Sequence, residues 1–117
     1  MIKREWDKFV KRAVWSWEGW LFCWRHEASL QQWVWANVFS GGFAIFLDIT
    51  VAERALIISL GILILAAELM NTGIEKAVDH ISTEEHPLAK IAKDTASGAV
   101  AITAIAAGVA WLVILIG

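Results

Sequence analysis

Over the first two dozen residues, apolar side chains recur at spacings of three and four. Ile2, Trp6, Phe9, Val10, Ala13, Val14, Trp17, Trp20, Leu21 and Trp24 share one side of a helix, with Lys3, Arg4, Asp7, Lys8, Lys11 and Arg12 on the other. The spacing predicts an amphipathic helix over about 1–26, and a basic, Trp-rich helix of this kind suits the plane of a membrane surface. Packing against a partner protein is the competing use of such a face. Three apolar runs follow, near Trp33–Leu47, Ala55–Ala67 and Thr95–Gly117. The last alone reaches the usual count of about 20 uncharged residues. The others span a bilayer only if their helices continue into polar flanks, which gives spans at about 33–47, 52–80 and 88–116. Gly41-Gly42 marks a bend or a close helix contact, and Pro87 suits the first turn of the last helix. That helix is rich in Ala and Gly, a composition that lets helices approach closely in lipid and favours assembly.

Composition supports this pattern. The chain is 58% hydrophobic with a mean hydropathy of +0.58, too apolar for a soluble domain of 117 residues. The fold class expected is therefore an all-α membrane protein, one domain over 1–117, with a surface helix and three transmembrane helices. Seven of the eight Trp lie between residues 6 and 35, as in an interfacial belt. Six of the ten Lys and Arg precede residue 26, whereas the turn DITVAER carries only Arg54. The positive-inside rule then puts the N-terminus and the 80–90 connection in the cytoplasm, and the 48–54 turn and the C-terminus outside. Glu53 and Arg54 read as a salt bridge in that outer turn. A single Cys23 excludes an intramolecular disulfide and a zinc cluster, and reads as an apolar filler. The start does not read as a signal peptide, because charge and Trp interrupt it. Nothing in the charge pattern points to nucleic acid.

The chemistry lies in ELMNTGIEKAVD, residues 68–79, which directly follow an apolar stretch. At 100° per residue, Glu68, Asn71, Glu75 and Asp79 fall at about 0°, 300°, 340° and 20°, one face of the helix. Lys90, Lys93, Asp94 and Ser97 form a second face, at about 0°, 300°, 40° and 340°, on the next helix. Glu27 precedes the first span at the same membrane edge. Three acids and an Asn on one stripe suit a divalent cation held by oxygen ligands and phosphates, as Mg²⁺ is. Glu68, the deepest, is partly desolvated and suits a proton acceptor. Acids toward water and a base at headgroup depth point to phosphoryl transfer onto a lipid hydroxyl. A structural polar face with Lys93 as counter-ion, or an ion pathway, fits these residues alone as well.

The sequence resembles the bacterial integral-membrane diacylglycerol kinases. The likeness is carried by ELMNTGIEKAVD, by EEHPLAKIAKD with the following TASGAV, and more loosely by SWEGW and HEASL. The resemblance implies a homotrimer in the bacterial inner membrane, with sites near protomer contacts. It implies Mg²⁺-ATP as donor and diacylglycerol as acceptor, giving phosphatidic acid. Glu68 would be the general base, and Glu27 and Glu75 would hold the metal and ATP. Lys93, Asp94, Glu84 and His86 would contact the nucleotide, as would Lys8 and Trp15 of the surface helix. Asn71 and Asp79 would support the pocket, and Ala13, Val14, Ser16, Trp17 and Ser97 would border the lipid.

Several positions depart from the family pattern. Lys8 stands for Arg, Trp15 for Tyr and Glu18 for a basic residue. Ile91 stands for an Arg, with Lys90 beside it as a substitute. The lipid-bordering run A-F-R-x-E reads SLQQW at Ser29–Trp33. The catalytic stripe is kept and the lipid edge is changed, so undecaprenol is the alternative acceptor. A non-enzymatic membrane oligomer is the alternative of another class.

Overall fold

The computed structural model describes residues Met1–Gly117 as four α-helices. They are α1 (Ile2–His26), α2 (Ala28–Phe46), α3 (Val51–Ile81) and α4 (Pro87–Ile116). All four expected helices form. The second starts five residues before its apolar run, because helical hydrogen bonds do not require apolar side chains and Gln31 and Gln32 are adequate helix formers. It passes through Gly41-Gly42 without a break.

Glu27 alone makes the corner between α1 and α2. Its backbone is extended (φ −116°, ψ 103°), and its N–H still closes the last turn of α1 on Cys23. Gln31 folds back over this corner and donates to the Trp24 carbonyl. Between α2 and α3 the turn is held by two devices. Thr50 Oγ1 accepts from the Glu53 N–H at 3.1 Å while Glu53 Oε1 accepts from the Thr50 N–H at 2.9 Å, a reciprocal cap. Arg54 donates to the carbonyls of Ala44, Leu47 and Ile49 at 3.0–3.3 Å, closing the open end of α2. The expected Glu53–Arg54 salt bridge does not form, because both side chains are used by unpaired backbone groups nearby. His86 caps α4 by accepting from the Leu88 N–H, with Pro87 at its first position.

α3 lies between α2 and α4 and packs along both. Asn37 sits directly on Gly61, where a Cβ would collide with its amide oxygen. α2 and α4 meet through side chains: Trp111 Nε1 donates to Ser40 Oγ at 2.8 Å, and the indole packs on Phe43. From Met1 to Gly19, α1 is exposed throughout. It joins the body by its last two turns, through buried Cys23 and through Lys76 of α3, whose ammonium stands 5.6 Å over the Phe22 ring.

Only 11 of 117 residues are buried. Long rows such as Ile102, Ile105, Leu112 and Leu115 face outward, a surface that is stable only against lipid or another chain. α3 and α4 are each long and apolar enough to cross a membrane. At 31 residues, α3 is about 46 Å long, well beyond a hydrocarbon layer of about 30 Å. A helix of that length is too long to lie wholly within such a layer, and its C-terminal turns carry the polar stripe.

Candidate active site

The C-terminal end of α3 supports a graded row of side chains. Glu68, the innermost, is 5% exposed, and Ser29 Oγ of α2 donates to its Oε2 at 3.0 Å. One turn on, Asn71 Nδ2 donates to Glu75 Oε1 at 3.4 Å. Asn71 Oδ1 is the one buried side-chain polar atom without a partner. Further out, Lys93 Nζ of α4 reaches Asp79 Oδ1 at 2.6 Å and ties the two helices in register. Lys90 pairs with Asp94 one turn apart on α4, in the open. The helix periodicity put these residues on one face, Lys93 meets that face as its expected counter-ion, and the structure adds the bond from Ser29.

Buried beside Glu68 are Thr72 of α3 and Cys23 of α1. Burial holds the Cys23 thiol above its ordinary pKa, and the Thr72 side chain pulls it partly back. Glu27 and Glu68 push it up as well, while Lys76 lowers it, so these charges share one neighbourhood at the α1–α3 seam.

Glu84, His86, Lys93 and Asp94 border one open cleft of about 730 Å³ at the α3–α4 connection. A second cleft of about 460 Å³ shares Glu84 and His86, and its apolar side includes Val78, Leu88 and Ala92. Other expected site residues are not brought here within one chain. Lys8 pairs with Glu5 at 3.5 Å, and Ser16 Oγ donates to the Arg12 carbonyl. With Ala13, Val14, Trp15 and Trp17 they lie on the exposed stretch of α1, and none borders either cleft. Ser97 is exposed on α4, and Glu27 is partly exposed at its corner. No three His, Cys, Asp or Glu side chains gather as a metal cage. Sequence reasoning missed the bond from Ser29 to Glu68, which joins residues 39 apart and has no periodic signature.

Residues 14–115 match the prokaryotic diacylglycerol kinase family. The chain belongs to that family. It is 42% identical over 112 residues to the diacylglycerol kinase of Pseudomonas aeruginosa, covering 94% of this chain and 89% of the relative. To that of Escherichia coli K12 it is 36% identical over 108 residues, covering 92% and 88%. To that of Helicobacter pylori J99 it is 39% identical over 92 residues, covering 79% and 72%. Membership makes the chain a lipid kinase and agrees with its membrane-type helices. The family match includes the corner, the stripe and the clefts, whereas Lys8 and Ala13 precede it.

Proposed function

We propose that this chain phosphorylates diacylglycerol to phosphatidic acid with Mg²⁺-ATP, at the cytoplasmic face of the bacterial inner membrane. The observation that carries the reading is a buried carboxylate, Glu68, at the point where α3 changes from apolar to acidic. Glu68 takes the proton of the lipid hydroxyl as that oxygen bonds to the γ-phosphorus. The bond from the γ-phosphorus to the bridging oxygen breaks, and ADP leaves. The chain contributes position and charge, as phosphoryl transfer requires. Clefts of this size suit a nucleotide. Glu84 and His86 border both clefts and Lys93 and Asp94 border the polar one, so all four are in reach of its phosphates and sugar.

The donor set fits Mg²⁺. Asn71 Oδ1 is an orphaned acceptor beside the Glu75 carboxylate, and a buried acceptor of this kind calls for a cation or a bound water. Glu75 and Glu27 would hold the ion, whose role is to neutralise phosphate charge. One or two carboxylates with phosphates suffice for Mg²⁺, so the lack of a protein cage is no obstacle.

The reading extends to the assembly. α2 completes three spans, the N-terminus and the 82–86 connection face the cytoplasm, and the chain works as a homotrimer. The exposed apolar faces and the separation of Lys8 and Trp15 from the clefts support assembly. The test is ATP-dependent phosphorylation in mixed micelles, with diacylglycerol and undecaprenol offered separately. Phosphatidic acid should form with the native chain and fall by about 10²–10⁴-fold in Glu68→Gln. Product from undecaprenol alone moves the acceptor and keeps the chemistry. An unchanged rate in Glu68→Gln refutes the base.

A further inference from the structure

We infer that Ser29 is a positioning residue for the phosphoryl transfer: its hydroxyl holds one oxygen of Glu68 so that the other faces the lipid hydroxyl. The inference rests on Glu68 acting as the base. The two carboxylate oxygens are not equivalent. Oε2 accepts from Ser29 Oγ at 3.0 Å, while Oε1 takes part in no hydrogen bond of the chain. Asn71 Oδ1 is nevertheless the sole buried polar side-chain atom left unpartnered. Oε1 is therefore not sealed off. In a residue that is 5% exposed, that remaining access is where an incoming hydroxyl can meet it.

A glutamate has three side-chain torsions, and a base whose carboxylate turns freely spends little time in a reactive orientation. Ser29 restricts this at low cost. It stands in the first turn of α2, two residues after the Glu27 corner, with Leu30 beside it 1% exposed. The corner and the buried Leu30 thus fix where the hydroxyl stands, while Glu68 is fixed by α3. Thr72, one turn on along α3, and Cys23, near enough for the Glu68 charge to act on its thiol, are buried as well.

The test uses the full chain in mixed micelles with Mg²⁺-ATP and diacylglycerol. Ser29→Ala should lower kcat about tenfold, the scale of one hydrogen bond to a charged group, with KM for ATP and lipid unchanged. Ser29→Thr, which keeps the hydroxyl, should restore kcat to within about threefold of the native value. Circular dichroism on both variants establishes that the helices are intact. Native kcat in Ser29→Ala overturns the proposal while Glu68 remains the base, provided Glu68→Gln is still inactive. A raised kcat also overturns it, because the serine then competes with the lipid for the carboxylate. Full activity in Glu68→Gln overturns the base and this inference together.

Discussion

Trp111 and Ser40 offer a quantitative test of how the helices are joined. α2 and α4 both pack on α3, and the indole bridges the groove between them through one hydrogen bond of 2.8 Å. Apart from the Asn37 amide, which lies against Gly61 and donates to the Trp33 carbonyl, the groove is lined by apolar residues such as Ala104 and Gly108. Ser40→Ala removes the acceptor and leaves that N–H unmade. Such a loss costs about 1–3 kcal/mol in a soluble protein, but side-chain hydrogen bonds between membrane helices average about 0.6 and reach about 1.7 kcal/mol. We expect about 1 kcal/mol for Ser40→Ala, since the native distance is short and a single donor is involved. Trp111→Phe should cost more, because it also removes ring area that packs on Phe43 with centroids 5.8 Å apart. With Trp111→Phe already present, Ser40→Ala should be nearly silent, giving a coupling of about 0.6–1.7 kcal/mol. Stability is read by SDS titration in mixed micelles, followed by far-ultraviolet circular dichroism. A coupling inside the additive scatter of about 0.3–0.5 kcal/mol would refute the bridge. Kinase activity is a control: Gly61 lies seven residues from Glu68, about 10 Å along α3, so kcat should hold in Ser40→Ala.

Arg54→Gln should destabilise the fold by about 2–3 kcal/mol in the same titration, because three carbonyls at the end of α2 and in the turn after it lose a charged donor. Arg54→Lys should recover less than half, since one ammonium cannot reproduce the fork of the guanidinium. Cys23 should resist maleimide in the native protein at neutral pH and react readily after denaturation, because it is buried and burial raises its pKa. The folded state holds the thiol proton to higher pH than the unfolded state does, so stability is lost as pH rises above the ordinary thiol range. Cys23→Ala should lack that alkaline loss, as followed by denaturation midpoints across the pH series.

Local chemistry alone placed the helices and the stripe. A helix repeats every 3.6 residues whatever surrounds it. The spacing of Glu68, Asn71, Glu75 and Asp79 therefore put them on one face before any packing was known, and Pro87 marked where α4 begins. The matched motifs carried the family, because ELMNTGIEKAVD and AKD are contiguous in the chain. Lys93 was legible as a counter-ion of the Glu68–Asp79 face and meets Asp79, but the other contacts that join helices were not. Ser29 to Glu68, Arg54 to Ala44 and Ser40 to Trp111 lie 39, 10 and 71 residues apart. In each, a polar group finds a partner only once the helix faces have docked. Glu53 and Arg54 show the same limit on a smaller scale: as sequence neighbours they suggest an ion pair, yet each bonds to backbone groups that the turn leaves open. Periodicity determines which side chains share a face, and only the packed helices decide what that face meets.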